Sequence, residues 1–228
     1  MFFWDLDGTI LDISDKYYNL YKDILNDAGF DALEKEVYWR AKCSAMPENE
    51  ILQLTGAGAI YEKYQYKRIS LIESDYYLSF DRVHEGVIRA LEYFSMHFKL
   101  ILVTLRSSSI LLNDQLKRLS VSQYFIDILS SGEQQYPRWK TKYRLIQDYI
   151  SGVNGSGHFM IGDTETDIKA GNELGLKTIA VLNGIRTRRL LQQSNPDIIL
   201  SSAKDLMNPE FANMFDRRRG NDNPFCRP

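Results

Sequence analysis

The sequence predicts an α/β protein: a three-layer α/β/α core built on a parallel sheet, with a helical module inserted near its start. Short apolar runs ending in polar residues recur along the 228-residue chain, as buried strands do. Helix-period segments separate most of these runs, the alternation that produces a parallel sheet covered on both faces. One long interval carries helical period and no strand pattern.

The first strand run is Phe2 to Trp4. The strandless interval follows, from Ser14 to about Ser79. Its first helix presents Tyr17, Leu20, Tyr21, Ile24, Leu25 and Ala28 on one face, with Ser14 near the N-cap and Gly29 as the stop. Pro47 with Glu48 and Glu50 marks another helix start. A third segment, Ile60 to Tyr77, is rich in tyrosine, whose apolar body and polar tip suit core packing. Beyond it, Val87, Ala90, Leu91 and Phe94 repeat at helix spacing, and Leu100 to Val103 and Phe125 to Leu129 read as strands. Leu145, Ile146, Tyr149 and Ile150 form another apolar helix face, followed by strands Phe159 to Ile161, Thr178 to Leu182 and Ile198 to Leu200. The expected division is a core of residues 1–13 and 80–207, an insertion of 14–79, and a tail of 208–228 that loses periodicity and is expected to fray.

Composition excludes several classes. Hydrophobic residues make up 44% and charged residues 25%, the balance of a packed globular protein rather than a disordered one. The formal charge of -2 offers no global field for nucleic acid or an anionic membrane, and Arg217, Arg218 and Arg219 read as a solvated run. The start MFFWDLDGTIL has no basic region and is interrupted by two acids, so it does not read as a signal peptide, and no apolar stretch reaches membrane-spanning length. Cys43 and Cys226 fit no disulfide framework or metal spacing, which suits a reducing cytoplasm. Nothing in the sequence sets an oligomeric state.

The chemistry gathers at strand ends, where open parallel sheets bind ligands. Asp5 and Asp7 follow the first strand, and Asp163 follows Phe159 to Ile161. Residues i and i+2 of an extended chain leave on the same side, so Asp5 and Asp7 can face one site before Gly8 turns the backbone. Magnesium is the fitting counter-charge, with Asp5 and Asp163 as its side-chain ligands. An ordinary alternative stays open, in which these acids are turn residues and helix caps. His84, His97 and His158 are isolated and form no ligand spacing.

Together, DLDGT and GDTETD resemble the haloacid dehalogenase superfamily, whose first motif DxDGT is matched by Asp5, Leu6, Asp7, Gly8 and Thr9 and whose fourth, GDxxxD, by Gly162, Asp163 and Asp167. The run IKAGNELGLKTIAVLNG, from Ile168 to Gly184, is similar to the phosphoglycolate-phosphatase-like branch. The resemblance spans Phe2 to about Leu206; the sequence lacks the Lys-Pro pair common in that branch and carries Trp4 where a Phe is usual. It implies a Rossmann-like core with the insertion as a helical cap that closes over the site.

By the same resemblance Asp5 is the nucleophile that accepts a phosphoryl group, and Asp7 is the acid and then the base, its backbone carbonyl also a metal ligand. Thr104, closing an apolar strand, offers its hydroxyl to a phosphoryl oxygen. The helix-start lysine of the third motif is Lys142, with Lys140 as the alternative. Asp163 completes the metal site, with Asp167 standing behind it. Arg106 could meet a second anionic group on the substrate or be a solvated loop residue. Arg40 and Lys42 are cap cations open to the same two readings. The expected function is magnesium-dependent hydrolysis of a small phosphorylated metabolite, the alternatives being a phosphomutase or a catalytically silent binding module.

Overall fold

The computed structural model describes residues 1–132, 137–151 and 157–211. The chain runs β1 (Phe2–Trp4), β2 (Leu11–Asp12), α1 (Ser14–Asn26), α2 (Lys35–Cys43), α3 (Glu48–Gln53), α4 (Tyr61–Leu71), α5 (Asp75–Leu78), β3 (Arg82–Val83), α6 (Val87–His97) and β4 (Leu100–Thr104). It continues through α7 (Ser109–Arg118), β5 (Asp127–Ser130), α8 (Arg138–Tyr149), β6 (Phe159–Gly162), α9 (Glu165–Glu173), β7 (Lys177–Val181), α10 (Arg188–Gln193) and β8 (Ile198–Leu200). Six strands form one parallel sheet in the order β5-β4-β1-β6-β7-β8. From β1 the chain builds outward to β4 and β5, then returns to build β6, β7 and β8 on the other side. The order reverses between β1 and β6, and a crevice opens there beyond their carboxyl ends.

The pleat sorts each strand between two cores. Phe2 and Trp4, Leu100 and Leu102, and Phe159 and Ile161 pack with Val87, Leu91 and Phe94 of α6 and Leu112 and Leu116 of α7. Phe3, Ile101, Val103 and Met160 face the other way, onto Ile146 and Ile150. Both faces are covered, which is why the strands read as continuous apolar runs rather than alternating ones. Trp4 is fully buried in the first of these cores, a packing role.

Helices α1 to α5 lie between β1 and β4 and share a separate cluster of Leu20, Tyr21, Ile24, Leu25, Tyr38, Ile51, Leu52, Tyr64 and Tyr77. Tyr21 and Tyr38 stack at 4.3 Å, while the hydroxyl of Tyr77 donates to Asp23 at 3.0 Å. The chain enters and leaves this helical segment side by side: β2 and β3 pair antiparallel, Leu11 opposite Val83 and Asp12 opposite Arg82.

Local details differ from the sequence reading. Ser14 is the first residue of α1 rather than its cap; its amide donates to Asp12 Oδ1 at 2.9 Å, so an upstream carboxylate serves the helix start. Gly29 does stop α1: it is left-handed at φ 80°, and Phe30 N–H closes back on the Leu25 carbonyl. The Ile60 to Tyr77 segment is two helices, α4 and α5, broken at residues 72–74. Its tyrosines divide, with Tyr64 and Tyr77 buried and Tyr66 and Tyr76 exposed. β5 starts two residues later than expected, because pairing with β4 rather than apolarity sets an edge strand's register. Residues 212–228, with Arg217 to Arg219 and Cys226, lie outside the described residues. Among the described residues no helix is long and apolar enough to cross a membrane.

Candidate active site

The carboxyl ends of β1, β4 and β6 open into a cleft of about 460 Å³ lined by Asp5, Asp7, Thr104, Arg106 and Lys142 from the sheet side and by Tyr17, Arg68, Ile69, Ile72 and Glu73 from the helical segment. Asp5 N–H donates to the Ile161 carbonyl at 2.9 Å, which holds the end of β1 against the end of β6 and brings Asp5 beside Asp163. Asp5, Asp163 and Asp167 each offer a carboxylate oxygen within 4.8 Å of the others, all three side chains buried. Such convergence is possible because the backbone closes in. A Cβ on Gly8, itself at φ 86°, or on Gly184 would stand 2.1 Å from Asp163 Oδ2.

Lys142 is the cation of this cluster. Its Nζ donates to Asp5 Oδ1 and to Asp167 Oδ1, each at 2.5 Å. It lies one turn inside α8 rather than at the helix start, because Pro137 caps a helix that begins at Arg138. Lys140 is exposed on the same helix and is not among the residues lining the cleft. Asp167 spends its other oxygen on the amide and hydroxyl of Thr164, at 3.0 and 2.7 Å. Both its oxygens are engaged, whereas Lys142 holds Asp5 at one oxygen only. Asp163 receives the Ile185 amide at 2.7 Å and the Thr9 hydroxyl at 3.4 Å.

Three buried carboxylates against one ammonium leave an excess of negative charge. Burial, with Asp167 beside it, pushes Asp5 up to about 7 against the pull of Lys142. Burial together with Asp5 and Asp167 raises Asp163 well above its ordinary value. Proton uptake is one answer to this excess, and a bound divalent cation is the other. The cluster, all oxygen donors with its backbone and lysine contacts already made, fits a hard divalent ion.

Asp7 turns away from the cluster. Arg106 grips it with a two-pronged pair, Nε to Oδ2 and Nη2 to Oδ1, both 2.6 Å, and Lys16 Nζ adds 3.0 Å to Oδ1. Burial alone would raise this carboxyl; Arg106 and Lys16 outweigh it and hold Asp7 well below its ordinary range. Behind them Asp81, fully buried, accepts from Lys16 at 2.8 Å, Arg106 at 3.0 Å and Gln115 at 2.8 Å on one oxygen. The Asp7 side chain is therefore outside the carboxylate cluster, and Arg106 is a buried ion-pair partner of Asp7 and Asp81, neither solvated nor free for substrate. Thr104 ends β4 buried at the cleft wall, its oxygen accepting from the Arg106 amide at 3.4 Å.

Sequence reasoning missed Lys16, Asp81, Arg68 and Arg138. Lys16 carried a signal: it stands four residues before Leu20, hence on the buried face of α1, where an unpaired lysine is not tolerated. Asp81 carried none. Arg40 is exposed on α2, and the Lys42 ammonium pairs with Glu48; neither lines the cleft. None of the three histidines lines it either. The helical segment touches the core on two sides of the opening. Glu73 accepts from the amides of Ser107 and Ser108 and the Ser107 hydroxyl at 2.9 to 3.1 Å, and Thr187 N–H donates to the Cys43 carbonyl at 3.2 Å.

The family model of haloacid dehalogenase-like hydrolases matches residues 2–181. The chain belongs to that family. Solved structures similar to this hydrolase include a haloacid dehalogenase-like family protein from Streptococcus pneumoniae, 20% identical with a TM-score of 0.73, covering 90% of this chain and 95% of that one. A predicted phosphoglycolate phosphatase from Haemophilus somnus is 17% identical at TM-score 0.69, over 90% and 95% of the two chains. A protein named provisionally as a beta-phosphoglucomutase from Thermotoga maritima is 17% identical at TM-score 0.67, over 91% and 96%. At these identities the likeness is one of fold. No curated protein sequence matches the chain significantly.

Proposed function

We propose that this hydrolase is a magnesium-dependent phosphatase that cleaves a small phosphomonoester through a phosphoaspartyl intermediate on Asp5. The observation that carries the reading is the pair of opposite surroundings given to two carboxylates on one loop, Asp5 in the buried acidic cluster with Lys142 and Asp7 among cations at the cleft. Displacement of a halide needs no second acid, whereas expelling an alkoxide and then activating water does. A silent binding module would have no use for either arrangement. The similarity to structures named as a phosphoglycolate phosphatase and a phosphomutase adds support.

In this reading Asp5 Oδ attacks phosphorus, the P–O bond to the leaving group breaks, and the leaving oxygen takes a proton from Asp7. Water then attacks the aspartyl-phosphate while Asp7 takes its proton back, and phosphate leaves. Lys142 orients Asp5 and balances the anionic phosphoryl oxygens, and the Thr104 hydroxyl donates to one of them. Magnesium would be held by Asp5, Asp163 and the Asp7 backbone carbonyl, with Asp167 fixing Lys142 and the loop behind them. When bound it supplies charge neutralisation of the transferring group. Held by Arg106 and Lys16, Asp7 is an ionised carboxylate, the form that serves the second half-reaction. For the first it must shed part of that grip and carry a proton.

Residues 14–79 act as the cap, excluding water and contacting the leaving group. The substrate is a phosphorylated metabolite, and the free thiol of Cys43 suits a cytoplasmic setting. A panel of phosphorylated metabolites with magnesium should yield inorganic phosphate, and Asp5→Asn should lower release about 10⁴-fold. No metal-dependent release from any compound, or undiminished release by Asp5→Asn, sinks the reading. Phosphoryl migration on a sugar without free phosphate replaces it with a mutase.

A further inference from the structure

The cleft contains cations that the proposed chemistry does not use. Lys16 and Arg106 are spent on Asp7 and Asp81, and Lys142 on Asp5 and Asp167. Glu73, which besides Asp5 and Asp7 is the carboxylate lining the cleft among the described residues, is spent on the Ser107 and Ser108 amides. Among the described residues, two guanidiniums lining the cleft meet no carboxylate. Arg68, half-buried on α4, donates from Nε and Nη2 to the neutral Gln65 Oε1 at 3.1 and 3.0 Å and meets no carboxylate. Arg138, first residue of α8, lines the cleft and makes no ion pair among the described residues. One arginine stands on the helical segment and the other on the core.

Tyr17 of α1 also lines the cleft, and its hydroxyl has no hydrogen bond among the described residues. Burial, with Asp7 near it, raises this phenol, and the positive fields of Arg138, Arg68 and Arg106 oppose the rise. It therefore stays protonated and able to donate. Ile13, Ile69 and Ile72 complete the wall, with Ile69 exposed into the opening. The lining thus pairs an apolar surface with two guanidiniums that meet no carboxylate among the described residues, the kind of group that recognises carboxylate or phosphate in a two-pronged fashion.

We propose that Arg68 and Arg138 form a second anion subsite, so that the substrate is a short-chain phosphomonoester whose leaving group carries another carboxylate or phosphate. This rests on the phosphatase reading for the position of the first phosphate. With one arginine on each wall, the second anion bridges the helical segment to the core, and the cleft volume of about 460 Å³ suits a molecule of that size.

The test compares three compounds of matched skeleton: isopropyl phosphate, phospholactate and propanediol bisphosphate. Calorimetric titration of Asp5→Asn with magnesium should show phospholactate or the bisphosphate binding at least about tenfold more tightly than isopropyl phosphate, as one added charge-assisted pair requires. Arg68→Gln and Arg138→Gln, each in that background, should remove most of the gain and change isopropyl phosphate less than about twofold. In the otherwise unaltered enzyme the same two substitutions should raise KM for the two-anion compounds and leave kcat near its original value, a second readout should Asp5→Asn not fold. Preference for phospholactate over the bisphosphate, or the reverse, identifies the second group. Equal affinity for all three compounds, or equal loss on isopropyl phosphate, overturns the assignment. Two-anion binding without any turnover sinks the phosphatase reading and keeps the subsite, whereas turnover without preference does the opposite.

Discussion

Asp5 and Asp7 are two residues apart on one loop, and the structure gives them opposite surroundings. Asp5 shares a buried pocket with Asp163 and Asp167 and has one cation, Lys142, 137 positions away in the chain. Asp7 has two cations, Lys16 and Arg106, backed by the buried Asp81. The first pocket has too much negative charge and pushes its carboxyl up to about 7; the second holds its carboxyl below the ordinary range. The difference teaches that a motif of paired acids is a pair only in sequence. Its members take their protonation from partners that the fold imports from elsewhere.

Replacing Lys142 breaks the contrast most severely. Lys142→Met should lower turnover about 10²- to 10³-fold and cost the metal-free protein about 3 kcal/mol, because three buried carboxylates lose their cation. Magnesium should recover part of the stability and little of the rate, as read by thermal unfolding beside a phosphate-release assay. A metal-free loss much below 1 kcal/mol contradicts the charge excess described for the cluster.

Arg106→Gln tests the other pocket. It leaves Asp7 with Lys16 alone and Asp81 short of a partner, so a loss of about 2–3 kcal/mol is expected by denaturant titration. Asp7 has a folded pKa below its unfolded value of 3.8, so its contribution is present above that pH and lost as the pH falls below it. The variant should flatten the acid limb of the stability curve. An unchanged acid limb contradicts the assigned pairing.

The smallest expected effect has the opposite sign. Asp5 has a folded pKa of about 7 against an ordinary 3.8, so stability is lost as the pH rises from about 4 to about 7, where the unfolded chain ionises first. In chelator, the melting temperature should decline by a few degrees over that range, and Asp5→Asn should remove much of the decline. Magnesium, which competes with the proton, should stabilise the protein more at about pH 7.5 than at about pH 5. Equal stabilisation at both values contradicts a proton-loaded cluster.

Much of the core was legible because its signals are local. Phe2 to Trp4 and Ile198 to Leu200 match strands β1 and β8 end for end, and β1, buried on both faces, must be apolar throughout. Gly29 stopped α1 for a reason carried by its own backbone. Where the reading slipped, the deciding group was remote. Helix α4 parted from α5 where Glu73 reaches the start of α7. Arg106 fitted two readings in sequence and neither in the fold, because its partners Asp7 and Asp81 meet it only when the ends of the helical segment close on β4.

The strand segments along the chain, the acids at their ends and the family could all be read from residue types and short spacings, since burial and backbone turning act within a few residues. Tertiary structure alone decided which cation serves which acid. It set Lys142 against Asp5 and Asp167, gave Lys16 and Arg106 to Asp7, and placed Arg68 and Arg138 at the cleft with no carboxylate partner among the described residues. Charges interact through space over distances that sequence separation does not encode, and their burial, which sets the strength of each interaction, exists only once the sheet and the helices have closed around them.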